Sequence, residues 1–331
     1  MKKSVLWSVA LLPLLMLLAS SCSQEVVESK KDRTNQIAFK AAVGKQTVTK
    51  AQEFLNSSWT NGNSFVIHAF NTGGAAFTPS TFTLTYNSGS WSYGTPVLHP
   101  GPGITSLTYY AYYPATGVTT PTFNGTDGSF GYTIQSTQVD LIATKTVSNL
   151  AAVTLTFNHL LSQVNFAIKG FDGVKIEVKN ISVNGVKNSG TFAYNAAGWS
   201  SLSGSASYNY TPVGSAITDG TDAILYLGNK GGTNQADNNN ANALMLMPQP
   251  LGTATIKFDY EIKNAISEVV MDAANNVEVD LIDLVANWLP GKRYLFLLDF
   301  SSLLSEDYIT FTVVVNEWLD DSGSPFIVPI D

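Results

Sequence analysis

The stretch VTLTFNHLLSQVNFAIKG, Val153 to Gly170, constrains the fold more than any other part of the chain. Val153, Leu155 and Phe157 alternate with polar neighbours, and Val164, Phe166 and Ile168 repeat the pattern. Apolar residues at every second position make a ribbon with one apolar face, the mark of a strand half buried in a sheet. A helix would need them three and four apart. Between the two halves, Asn158-His159-Leu160-Leu161-Ser162 reads as a break of about one helical turn.

The same period recurs on both sides of that break. Upstream lie Ile37 to Val43, Phe65 to Phe70, Phe82 to Tyr86, Ser90 to Tyr93, Leu107 to Tyr113, Phe130 to Gln135 and Val139 to Ala143. Asn87-Ser88-Gly89 supplies a hairpin turn, and Pro114 stops the tyrosine-rich strand. Phe65 to Phe70 is apolar on both faces, as a central strand would be. Downstream follow Val174 to Val178, Ile181 to Val183, Thr191 to Tyr194, Ile224 to Leu227, Leu244 to Met247, Thr255 to Ile262, Tyr294 to Phe300 and Ile309 to Val315. Asn234 to Asn242 is a polar low-complexity loop, and Leu281 to Trp288 has the spacing of a short helix ended by Pro290-Gly291. The reading is all-β: two β-sandwiches in series, residues 36–152 and 153–331.

The start of the chain carries an address. Lys2 and Lys3 precede an apolar run from Val5 to Leu18, and small residues lead into Cys22, the only cysteine. The run is shorter than the roughly 20 apolar residues a spanning helix needs, so residues 1–21 read as a secretory signal. Its exit resembles a bacterial lipobox, which makes Cys22 the expected lipidation site. Residues 22–35 are polar and charged and read as a flexible tether.

Composition excludes several function classes. A net charge of -7 with no basic stripe argues against nucleic acid. With Cys22 at the anchor, no cysteine remains for a disulfide, a zinc site or a thiol nucleophile. The histidines, His68, His99 and His159, lie in unrelated segments. His159 and Ser162 could share a turn, but a base beside a hydroxyl needs an orienting acid, and the sequence offers none nearby. No enzymatic activity, metal or cofactor is expected. Tyr109, Tyr110, Tyr112 and Tyr113 admit two readings, a stacking platform for sugars or a buried strand with hydroxyls at its rim, and the buried strand is favoured.

In order along the chain, Cys22, IAFKAAVGK with Thr49-Lys50-Ala51, FVIHAF, NSGSW, LTYYAYYP, VDLIA, LTFNHLLSQVNF, NISVNGVKNSGTF, LMLMPQPL, WLPGKRYLF and ITFTVVVNEW resemble the fimbrillin family. The resemblance covers nearly the whole chain, and its specificity lies in the order of otherwise generic β patterns. It implies two transthyretin-like, Greek-key sandwiches and a pilus subunit or adhesin exported to the outer membrane as a surface-exposed lipoprotein. It further implies removal of the first strand by a protease and filling of the vacated groove by a neighbouring subunit's strand. Lys45 and Lys50 are the candidate processing residues, where shaft pilins commonly offer an arginine. Either another protease acts there or the chain stays lipidated as an anchor or accessory subunit.

At the far end, Phe326, Val328 and Ile330 point to one side of a final segment bounded by Pro325 and Pro329. They suit a donor strand, with an edge strand of its own domain as the alternative. The expected partners are other pilin subunits, in a homo- or heteropolymer, together with the outer membrane and host or bacterial surface ligands. A monomeric, glycan-binding surface lipoprotein is the alternative function.

Overall fold

The computed structural model describes residues 37–43, 61–71, 73–88, 90–92, 99, 106–196, 198–212, 216–228, 242–304 and 309–317. Among them the chain is built from strands and short 3-10 turns, with no α-helix.

A seven-stranded sheet has the order β1 (Ala38–Val43), β9 (Ala152–His159), β8 (Ile142–Ser148), β5 (Leu107–Tyr113), β2 (Ser64–Asn71), β3 (Ala76–Asn87) and β4 (Ser90–Ser92). One face meets a four-stranded sheet ordered β13 (Gly198–Ser203), β12 (Ser189–Ala193), β7 (Gly128–Thr133) and β6 (Val118–Phe123). Between them lie Tyr112, Phe130, Tyr132, Ala143 and Phe192, with the Tyr112 and Phe130 rings 5.3 Å apart. The opposite face carries Phe65, Ile67, Tyr109, Ala111, Leu155 and Phe157, all buried. Cores on both faces of β5 explain why it is buried from Leu107 to Tyr112.

The second sandwich packs a five-stranded sheet on a four-stranded one. The first holds β15 (Ile224–Tyr226), β10 (Ser162–Lys169), β19 (Lys292–Asp299) and β20 (Thr310–Glu317), with β16 (Leu244–Leu246) also on β10. The other is ordered β14 (Ala206–Asn209), β11 (Val174–Val186), β17 (Thr255–Asn264) and β18 (Val270–Asp280). Val164, Phe166 and Ile168 meet Ile176, Val178, Ile256 and Phe258 in its core. These are the inward positions of alternating strands, as the period-two pattern requires.

The all-β expectation holds, and several local ones change. The break after β9 is not a helical turn, because its backbone bonds leave the segment. The Leu160 amide donates to the Leu141 carbonyl at 2.9 Å, and the Leu161 carbonyl accepts from Gly291 at 3.0 Å. The expected helix at Leu281 to Trp288 shrinks to a 3-10 turn at Leu281–Asp283. Beyond it Ala286 and Trp288 bond Leu251 and Gln249 around an isolated bridge, which draws those backbone groups away from helical bonds. The two segments at 174–178 and 181–183 are one strand, β11, with a register shift between Lys179 and Ser182. The stretch at 153 falls inside β9, which belongs to the seven-stranded sheet, and the β12–β13 hairpin pairs back onto β7.

Candidate functional site

The candidate site is the edge where β1 meets β9. β9 alternates strictly: Val153, Leu155, Phe157 and His159 are buried, while Ala152, Thr154, Thr156 and Asn158 face solvent. Its apolar face joins the core under the sheet, and the Phe65 and Phe157 rings meet edge-on at 5.2 Å. Yet β9 is tied to β8 by a register of only two pairs, Ile142 with His159 and Ala143 with Asn158. Its long ladder is with β1, in parallel, through six consecutive pairs from Ala38–Ala152 to Val43–Phe157.

Among the described residues β1 is therefore an edge strand that pairs with a single neighbour. Ile37, immediately before it, is fully buried in the same cluster as Val153, Leu155 and Phe157. Burying one such side chain contributes about 1.5–3 kcal/mol. If β1 left, β9 would present six residues of unpaired backbone beside an apolar groove, a template for another strand. The sequence expectation that Ile37 to Val43 pairs with the N-terminal sheet is met by this ladder. That the ladder is parallel, and that β9 leans on it so heavily, was hidden, because alternation fixes a strand's faces but not its neighbours.

Cys22, Lys45, Lys50, Phe326, Val328 and Ile330 lie outside the described residues. In the sequence Lys45 follows the end of β1 by two residues. At the other end β20, the last described strand, pairs with β19 and forms an edge of its sheet.

The orienting acid that the sequence did not offer His159 is present in the structure. Asp140 Oδ2 sits 2.7 Å from His159 Nδ1, with the histidine side chain buried. The alignment stops short of a nucleophile, since the Ser162 hydroxyl is fully buried and donates to the Leu289 carbonyl at 2.9 Å. Of the four tyrosines, Tyr109, Tyr110 and Tyr112 are buried and Tyr113 is half-buried, so the strand does not form a stacking platform. His68 is half-buried among aromatic rings. Its ring lies 4.4 Å from Phe123, Nδ1 meets the Thr81 hydroxyl at 3.0 Å, and burial pushes its pKa down to about 4. Among the described residues no group of acidic, histidine or cysteine side chains could hold a metal.

Comparison with known proteins gives a consistent picture. The model of a family described as fimbrillin-like matches residues 49–318. A search of curated proteins finds no match. Among solved structures, a fimbrial protein from Bacteroides vulgatus superposes with a TM-score of 0.60 at 15% identity, over 86% of this chain and 99% of its own. A proposed cell adhesion protein from Bacteroides uniformis gives 0.47 at 15% identity, over 86% and 98%. Another from Bacteroides ovatus gives 0.47 at 14%, over 87% and 99%. At this identity the first of these likenesses is one of fold.

Proposed function

The chain belongs to the fimbrillin-like family, and we propose that it is a structural or adhesive subunit of a cell-surface fimbrium, exported as an outer-membrane lipoprotein. In this reading Cys22 carries the lipid, and a protease cuts at Lys45 or Lys50. The strand Ala38–Val43 then leaves, and a neighbouring subunit's strand takes its place on β9.

One observation carries the reading: β9 holds its six-residue ladder with β1 and only a two-pair register with the rest of its sheet. A strand so placed closes an apolar core yet sits at an edge, where it can be exchanged without unthreading the fold. Phe326, Val328 and Ile330 are the proposed knobs of the incoming strand, at the period-two spacing that one face of a groove accepts. Retention of the uncut, lipidated chain would make it an anchor or accessory subunit.

N-terminal sequencing of the surface form tests this directly. Starts at Gln46 or Ala51 are expected from an assembled subunit, and an acylated Cys22 on all material assigns the anchor role. Cys22→Ala should abolish labelling by a palmitate analogue and release the protein from membranes. Equal labelling of both proteins would refute lipidation at this residue. Deleting residues 324–331 should leave a folded monomer that is not incorporated after proteolysis, and normal polymerisation of that variant would remove the tail as donor.

A further inference from the structure

The tyrosine strand ends beside a feature that assembly leaves unused. Where β5 gives way to Pro114, a cleft of about 540 Å³ opens between the approach to β2 and the loop joining β7 to β8. Its lining includes Asn63, Ser64, Tyr113, Gln135, Ser136 and Thr137. This volume falls within the range of small-molecule sites.

The chemistry of the lining is selective. Among the described residues that line it there is no acid and no base; amides, hydroxyls and backbone share the lining with one aromatic ring and the small apolar side chains of Pro114, Ala115 and Val139. The Ser64, Ser136 and Thr137 hydroxyls have no partner among the described residues. Asn63 Nδ2 lies 3.4 Å from the Tyr113 hydroxyl, which sets an amide beside the ring. Hydroxyls and amides both donate and accept, as a ligand rich in hydroxyl groups requires. A half-buried tyrosine adds an apolar face with a polar tip.

We propose that this cleft binds a neutral oligosaccharide, with the Tyr113 ring as its apolar wall and Asn63, Gln135, Ser136 and Thr137 as hydrogen-bonding partners. An anionic sugar meets no cation in the lining. The site is independent of strand exchange, so a chain that never polymerises still tests it.

The test is calorimetric titration of the full-length protein with lactose, cellobiose, mannobiose and chitobiose, and with sialyllactose as the charged counterpart of lactose. Saturable binding of at least one neutral sugar is expected, with sialyllactose weaker than lactose. A Ser136→Ala/Thr137→Ala variant, changed only at two exposed hydroxyls in a loop outside the ladders, should bind about tenfold more weakly while unfolding at the wild-type temperature. Tyr113→Phe should retain binding through its ring. The proposal is overturned if no neutral sugar binds, if sialyllactose binds as well as lactose, or if the double variant binds like wild type.

Discussion

Two edges of this molecule solve the same problem in opposite ways. In the seven-stranded sheet, β9 would end the sheet with an apolar face and free backbone, and β1 covers it through six parallel pairs. In the second sandwich, β18 ends its sheet beside β17 with no further strand among the described residues. β18 carries its own protection over most of its length: Asp272, Asn275, Asn276, Glu278 and Asp280 are exposed along it, while large exposed apolar side chains are confined to Val270 and Met271 at its start. Polar and charged side chains on an edge discourage pairing with another chain. The apolar edge carries a cover and the largely polar one does not, so the proposed exchange falls to the first sandwich.

The contrast is broken most severely by deleting residues 37–43. The deletion removes the six-pair ladder and the buried Ile37 together. The expected outcome is a large fall in the melting temperature of the first sandwich and concentration-dependent self-association, read by calorimetry and size-exclusion chromatography. A stable monomer would show that β9 needs no cover. Phe157→Ala, which hollows the groove but leaves β1 in place, should cost about 3–5 kcal/mol in denaturant unfolding.

Acid should separate the two sandwiches next. Burial lowers the His68 pKa to about 4 in the folded first sandwich, against an ordinary value of 6.5. The unfolded chain takes up this proton first, so the associated stability is complete above pH 6.5 and is lost as pH falls towards 4. The loss is about 1–3 kcal/mol, and His68→Gln should flatten that part of the pH profile. In the second sandwich Asp259 is held below its ordinary range, chiefly by the Asn276 amide and then by the Asn180 side chain. That contribution persists above the ordinary carboxylate pKa and is lost only as pH falls through the lowered value. The smallest expected effect is Asn275→Lys on the exposed edge of β18, within about 0.5 kcal/mol.

How much of this was legible follows from what alternation encodes. Val153, Leu155 and Phe157 announced a strand and its buried face, and both were found. β18 was missed because in VMDAANNVEVD Val277 and Val279 pack against the core, and two alternating apolar positions are too short a pattern to announce a strand. The helix expected from Leu281 failed because its spacing was right while its backbone partners, Gln249 and Leu251, lay over thirty residues away. Partnership across the sheet is the part a local pattern does not hold. The His159–Asp140 pair and the cleft beside Tyr113 were hidden for the same reason. Each joins segments whose meeting depends on register.

The central claim, that β1 is a replaceable cover for β9, is tested most directly by hydrogen exchange at the β9 amides, residues 152–157. The measurement compares the intact chain, the chain cleaved after Lys45, and the cleaved chain after incubation with further cleaved subunits. The account predicts protection in the first, loss of protection once the strand is released, and recovery as subunits assemble. Protection that is unchanged when β1 departs, or that never returns in the polymer, would contradict it.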